Sequence, residues 1–328
     1  MLQTNDTQVL VAENLTKSYD GQLALRGLSF SLQAGHILGF LGPNGAGKTT
    51  AIRILTTIFE PSSGQFYVDG ISSAYPEQIR RKIGALPESL GFPKQMTGVE
   101  FLTYFGEHYG HKSSTAKKNA ITLLKEVGLP EKGFSPIGTY SRGMRQRLGI
   151  ARVLVNDPAV VFLDEPTLGL DPRGKLELLT LVKRIARERN AGVVFCSHLL
   201  TEVEELCDDV VILREGQVVS AGTVREVIEQ SSRNIIRIRS LMEHVPAARQ
   251  ILSGIAGIAE FLVNGHKSDV LEMYIEDRIE KNSTEDVQLK NQILNSLLLA
   301  KIPVLNFDAD SGSRLQDIFF QLTEEPKL

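Results

Sequence analysis

At 328 residues, with 42% hydrophobic and 23% charged side chains, the chain has the composition of a folded globular protein and not of a disordered one. It is long enough for two domains, or one large domain with an appendage. A net charge of −3 supplies no global basic field, so nucleic acid is not expected as the main partner.

The opening MLQTNDTQVLVAEN lacks the basic stretch followed by an apolar run that marks a secretion signal, and no stretch has the length of a spanning helix. A cytoplasmic location follows as the expectation, with any membrane reached through a partner. Short apolar runs at 9–12 and 23–41, punctuated by Asp20-Gly21 and Ala34-Gly35, predict several strands leading into HILGFLGPNG. Beyond it, TTAIRILTTIF places Ile52, Leu55 and Phe59 on one helical face. Residues 97–128 read as helical and stop at Val127-Gly128-Leu129-Pro130. Another helix start follows at Ser141, then the apolar run Val160–Leu163, a helix over about 173–189 with Leu178, Val182 and Ile185 on one face, and a buried strand Gly192–Cys196. Apolar runs alternating with helices predict a mostly parallel sheet flanked by helices, the α/β class. Cys196 and Cys207 lie in no metal or redox spacing and are read as buried thiols of a reducing compartment.

The pattern changes near Ser231-Ser232. Strands at 235–239, 258–263, 270–276 and 303–307 alternate with helices at 244–254 and 285–300, and a closing helix spans 313–323. The order β-α-β-β-α-β is that of a small ferredoxin-like α+β domain. Ser313-Arg314-Leu315-Gln316 supplies a capping box for the last helix.

Three segments carry chemistry. Gly42-Pro43-Asn44-Gly45-Ala46-Gly47-Lys48-Thr49, followed by Thr50, fits GxxxxGK[ST] between a predicted strand and a predicted helix. Its glycines let backbone N–H groups wrap phosphates, Lys48 reaches the β and γ phosphates, and the Thr49 hydroxyl suits Mg²⁺. Val160-Val161-Phe162-Leu163-Asp164-Glu165 ends an apolar strand in two carboxylates. Asp164 is placed to hold the metal or its water, and Glu165 to accept a proton from an attacking water. That pairing favours hydrolysis, and the lack of an Asn-Lys-x-Asp motif leaves ATP as the expected nucleotide. Thr139-Tyr140-Ser141-Arg142-Gly143-Met144-Arg145-Gln146-Arg147 opens a helix. A serine and a glycine there leave an anion free to approach unpaired N–H groups, and they equally suit an N-cap on a basic surface helix. Both readings stand open on these residues alone.

Taken in this order, the segments make about residues 9–225 resemble the ATP-binding subunit of an ABC transporter. The resemblance implies a P-loop NTPase fold of the ABC type over 1–230, with an inserted helical subdomain at about 89–157 and an accessory domain at 231–328. It implies an ATPase that dimerises head to tail, as homodimer or heterodimer, with each Mg·ATP held between one phosphate loop and the other chain's signature. Tyr140-Ser141-Arg142-Gly143-Met144 looks like a variant of that LSGGQ signature, so Ser141 and Gly143 are implied to contact the partner's γ phosphate. Tyr19 matches the aromatic that stacks on adenine, His198 the switch histidine at the γ phosphate, and Asp171, in Gly169-Leu170-Asp171-Pro172, the D-loop that crosses the dimer interface. Phe101, Leu102, Tyr104 and Phe105 fall in the region that docks a membrane subunit, although helical-subdomain core accounts for most of them.

The chain departs from the family pattern twice. Glu88 stands where glutamine is usual; a carboxylate is still a hard ligand for Mg²⁺, so the expected metal set is Thr49, Glu88 and Asp164. Arg142 stands where glycine is usual, either to bond phosphate or to face solvent. The whole resembles exporter subunits that serve separate polytopic permeases on the inner face of the cell membrane. A soluble ABC-type ATPase acting on the ribosome or on DNA is the alternative.

Overall fold

The computed structural model describes residues 8–88, 91–231, 235–262, 269–276, 278–279, 283–308 and 315–323. The chain divides into two compact units, Met1–Val224 together with Leu322–Leu328, and Arg225–Gln321.

The first unit opens with two twelve-residue strands, β1 (Gln8–Tyr19) and β2 (Gln22–Gln33), paired antiparallel across the tight turn at Asp20-Gly21. β3 (Ile37–Leu41) runs into the phosphate loop and α1 (Lys48–Leu55). β4 (Ser63–Val68) and β5 (Ile71–Ser72) return to β1, giving an antiparallel sheet of order β2-β1-β4-β5. This sheet is absent from the sequence reading, which expected the early strands to lead into a mostly parallel one. α2 (Pro76–Arg80) and β6 (Ile83–Leu86) follow.

The helical insertion contains α3 (Gly98–His108), α4 (Ser113–Glu126) and α5 (Arg142–Val153). The predicted single helical stretch over 97–128 is two helices. A turn at Tyr109–Lys112, with Gly110 at φ 93°, folds α4 back on α3, and Gly106 packs so close to Ala116 that a Cβ would lie 2.9 Å from the Ala116 methyl. α3 starts in a complete capping box between Thr97 and Glu100. The stop at Val127–Pro130 is observed, with Gly128 in the left-handed region.

β7 (Val160–Asp164), α6 (Pro172–Arg189), β8 (Gly192–Cys196), α7 (Leu200–Leu206), β9 (Asp209–Arg214) and β10 (Gln217–Thr223) complete this part of the chain, and α8 (Val224–Ser231) begins at the boundary and belongs to the second unit. The main sheet has the order β10-β9-β3-β8-β7-β6; its pairs from β9 to β6 are parallel, and β10 is an antiparallel edge. β3 and β8 are buried at every residue, which explains their unbroken apolar sequences. Helix α1 ends at Leu55, so Phe59 lies beyond it; Ala51, Ile54 and Leu55 form its buried face, and the half-buried Ile52 and Phe59 pack at the margin of the core.

The second unit holds β11 (Ile235–Ser240), α9 (Val245–Leu252), β12 (Ile258–Leu262), β13 (Val270–Ile275), α10 (Thr284–Leu299), β14 (Val304–Asp308) and α11 (Leu315–Thr323). Its sheet, ordered β12-β13-β11-β14 with all neighbours antiparallel, is the ferredoxin-like arrangement that the element order predicted. Ile236, Ile238, Leu252, Met273, Ile275, Ile293 and Leu297 form a core of its own. The expected capping box at 313–316 begins outside the described residues.

Candidate active site

The site lies at the carboxyl ends of the parallel strands, where open α/β sheets collect their ligands. β3 delivers the phosphate loop there, β7 delivers Asp164 and Glu165, and β8 delivers Ser197 and His198. Neighbouring parallel strands therefore bring together residues far apart in sequence.

The loop's backbone explains two of its glycines. Gly47, the N-cap of α1, has φ 101°, and a Cβ there would lie 2.7 Å from the Ala24 carbonyl oxygen. Gly45 has φ 83°, and a Cβ there would meet nothing of the protein within 4 Å, leaving that face open to a ligand. No side chain caps α1, and its first turn holds no acidic residue, so the helix presents its N–H groups and positive dipole end to an anion. Lys48 Nζ donates to the carbonyls of Gly42 (2.5 Å) and Pro43 (3.1 Å), which folds the ammonium over the loop. Asn44 and Thr49 are exposed, Thr50 is half-buried in the first turn, and Ala46 is buried against the core.

Charge is concentrated around Lys48. Burial lowers its pKa, opposed by the neighbouring Cys196 thiol and the carboxylates of Glu165 and Asp164. Burial and the negative charge of Glu88 raise the pKa of Asp164, against the pull of Lys48 and Arg53. Burial also raises that of Glu165, which His198 partly offsets. His198 Nδ1 lies 2.7 Å from Glu165 Oε2, and the Glu165 N–H donates to the Cys196 carbonyl at 2.9 Å. Glu165 has φ 49°, an unusual conformation for a non-glycine residue, maintained where the strand ends turn away from the sheet.

Among the described residues no group of three or more His, Cys, Asp or Glu side chains makes a metal cage. The residues present nevertheless fit Mg²⁺: carboxylates at Asp164 and Glu88 and a hydroxyl at Thr49 are hard oxygen donors, and nucleotide-bound Mg²⁺ takes its remaining ligands from phosphates and water. The raised Asp164 carboxyl marks a place where a cation would relieve repulsion.

Tyr19, 40% exposed at the end of β1, meets Phe59 edge to face with ring centroids 6.2 Å apart, and Lys17 Nζ lies 5.4 Å from its ring centre. The tyrosine is thereby held as a partly exposed π surface beside the loop's helix.

Ser141 and Gly143 are found elsewhere. Ser141 Oγ accepts from the Met144 N–H at 3.2 Å, so it does cap α5, and its own hydroxyl proton remains able to donate. Ser141, Arg142 and Gly143 line a cavity of about 620 Å³ with Gly169, Leu170 and Asp171. No residue of the phosphate loop lines it. Asp171 is the N-cap of α6, accepting from Gly174 N–H at 3.3 Å.

The family ABC transporter matches residues 25–168. The linearmycin resistance ATP-binding protein LnrL of Bacillus subtilis (strain 168) is 31% identical over 321 residues, covering 96% of this chain and 98% of the relative. The chain belongs to the ABC transporter ATP-binding proteins. Among solved structures, cbiO1 from Clostridium perfringens, part of the ABC transporter complex cbiONQ, superposes with a TM-score of 0.63 at 26% identity, covering 76% of this chain and 96% of that one. The ATP-binding cassette MJ0796, in a dimeric post-hydrolysis state bound to ADP and Pi, superposes at 0.59 with 25% identity, covering 65% and 98%. This ABC protein is accordingly an ATP-binding subunit and an ATPase that energises transport. Among its described residues no helix is long and apolar enough to cross a membrane.

Glu202, which no motif of this ABC subunit's sequence marks, also belongs to the site. Its buried carboxylate accepts from Thr167 Oγ1 (2.6 Å) and Ser197 Oγ (3.2 Å) and lies 3.3 Å from Lys175 Nζ, tying the segment after Glu165 to the segment before His198. A signal existed: Glu202 shares the face of α7 that carries Leu206, so a carboxylate stood at an apolar position. Phe101 and Leu102 are buried and Tyr104 is 58% exposed, so the helical-subdomain aromatics divide as core and surface.

Proposed function

We propose that two cassettes, either two copies of this chain or this chain and a homologous one, close head to tail over two Mg·ATP. Each nucleotide is then held by one phosphate loop and by Ser141 and Gly143 of the other chain. The observation that carries this reading is the separation of the two anion-binding helix starts within one chain: the cavity at Ser141 and Gly143 includes no residue of the phosphate loop. The dimeric state of MJ0796 supports it.

In the closed site Tyr19 stacks on adenine, the backbone from Gly42 to Thr50 wraps the phosphates, and Lys48 leaves its carbonyl partners to face the β and γ oxygens. Thr49, Asp164 and Glu88 would hold Mg²⁺, which would supply charge neutralisation to the triphosphate. Glu165 accepts the proton of the attacking water; burial raises its carboxyl above the ordinary carboxylate value, which makes it a stronger base. His198, with Nδ1 on Glu165, holds that carboxylate and has Nε2 left for the γ phosphate. Asp171 crosses the interface in the D-loop. Hydrolysis ends the affinity between the chains, and the cycle of closing and opening drives separate membrane-spanning permease subunits from the cytoplasmic face. The complex of which cbiO1 is part supports separate partners, and the name of LnrL supports an exporter.

Sedimentation of the Glu165→Gln chain tests this reading. It is expected to be monomeric without nucleotide and dimeric with ATP; a monomer under both conditions overturns it.

A further inference from the structure

Arg142, the residue that departs from the family's signature, is exposed, yet its head group rests on its own chain, in a cavity that holds no residue of the phosphate loop. Its guanidinium lies against Gly169: a Cβ on residue 169 would be 2.6 Å from Arg142 Nη1 and 2.8 Å from Nε. Gly169 has φ 71°, so glycine suits this position twice over, for the backbone and for the arginine that covers it. Two further contacts join the same pieces of chain. The Leu170 side chain lies over Gly143, with 3.8 Å between Leu170 Cδ2 and a Cβ built there, and Glu177 of α6 is bonded by both Arg147 of α5 and Arg173.

The segment 165–171 is itself stiff. Leu168 N–H donates to the Glu165 carbonyl and Leu170 N–H to the Thr167 carbonyl, both at 3.1 Å. Thr167 is anchored to the buried Glu202 carboxylate, and Asp171 caps α6. A force applied at Ser141 and Gly143 therefore meets a short, braced segment whose other end is Glu165.

We propose that Arg142 is a positioning residue: by stacking on Gly169 it latches the signature helix to its own chain's D-loop, so that nucleotide engagement at Ser141 and Gly143 sets the placement of Glu165 in the same chain. Each chain then reports the occupancy of its partner's site to its own base. The planar guanidinium matters more than its charge, because the surface it covers is the peptide backbone at a glycine. This proposal rests on the two-chain reading above.

The test is a double-mutant cycle in the full chain, following turnover and the Hill coefficient for ATP. Arg142→Ala is expected to lower kcat about three- to ten-fold and bring the Hill coefficient down towards 1, with thermal stability and single-chain ATP affinity unchanged. Gly169→Ala is expected to lower kcat and the Hill coefficient in the same way, with a fall in Tm besides because alanine is strained at φ 71°, and the double variant to turn over no worse than the poorer single one. Arg142→Lys is expected to behave as Arg142→Ala. Additive losses, or full activity in Arg142→Lys, overturn the latch; the latter assigns the residue to phosphate charge instead. ATP-dependent dimerisation of Glu165→Gln is measured in parallel. If that dimer never forms, the two-chain reading fails. If it forms while Arg142→Ala keeps wild-type cooperativity, only the latch fails.

Discussion

The two ends of the main sheet treat acidic residues in opposite ways. At the amino ends of the strands, Asp208 accepts from the Ile37 N–H at 2.9 Å and pairs with Arg187, which also donates to the Gly35 carbonyl, and Asp209 pairs with His36 at 2.8 Å. Asp208 thereby ties the start of β3 to helix α6, and Asp209 ties the start of β9 to the residue before β3. At the carboxyl ends, burial with Glu88 raises the pKa of Asp164, burial with Asp164 raises that of Glu165 against the pull of His198, and Glu165 stands on a strained backbone. One end of the sheet uses charge to hold elements together, while the other keeps repulsion in reserve for a ligand. A protein spends stability in this way where it binds or reacts.

Substitutions at the two ends should therefore differ in kind. The largest effect belongs to Glu165→Gln, expected to lower hydrolysis by about 10²- to 10⁴-fold while ATP still binds, as read from steady-state turnover and nucleotide titration. Asp208→Ala should cost about 1–3 kcal/mol of stability in denaturant unfolding, with turnover per folded molecule unaltered. If it instead lost turnover without losing stability, the contrast between the two ends would collapse.

The smallest expected effect has the opposite sign. Burial and negative neighbours raise Asp164 and Glu165, so the folded, nucleotide-free chain binds protons more tightly than the unfolded chain. The stability that these groups contribute is complete below the ordinary carboxylate pKa of about 4 and is lost as pH rises through their raised folded values. Asp164→Asn should then raise Tm by about 1–3 °C at neutral pH and change it little near pH 4, while reducing hydrolysis. A Tm that falls at neutral pH would show that Asp164 is a structural partner like Asp208.

What could be read from the sequence was local. The phosphate loop between strand and helix, the apolar run closing on Asp164-Glu165, and the strand before His198 each carry their signal within about ten residues, and the sheet merely sets them side by side. The second unit was legible for the same reason, since period and punctuation mark each of its elements. The antiparallel sheet was not, because β1 pairs with both β2 and β4, and partner choice depends on contacts distant in sequence. Arg142 was hidden likewise, and Glu202 was legible only as a carboxylate at an apolar helix position. Three glutamates stand between Leu200 and Leu206, and only packing selects Glu202 for the network with Thr167 and Ser197; Arg142 finds its place through Gly169, on a segment beyond an entire helix and strand.

The central claim is that each working site is shared between two chains, and mixing two inactive variants tests it most directly. Lys48→Ala removes the phosphate-loop half and Gly143→Asp the signature half, so neither variant should hydrolyse ATP alone. In a mixed dimer one site carries both lesions and the other carries none. Mixing should therefore restore roughly a quarter of wild-type turnover if pairing is random. Turnover that stays at the level of the separate variants, under conditions where mixed dimers are shown to form, would contradict the shared site.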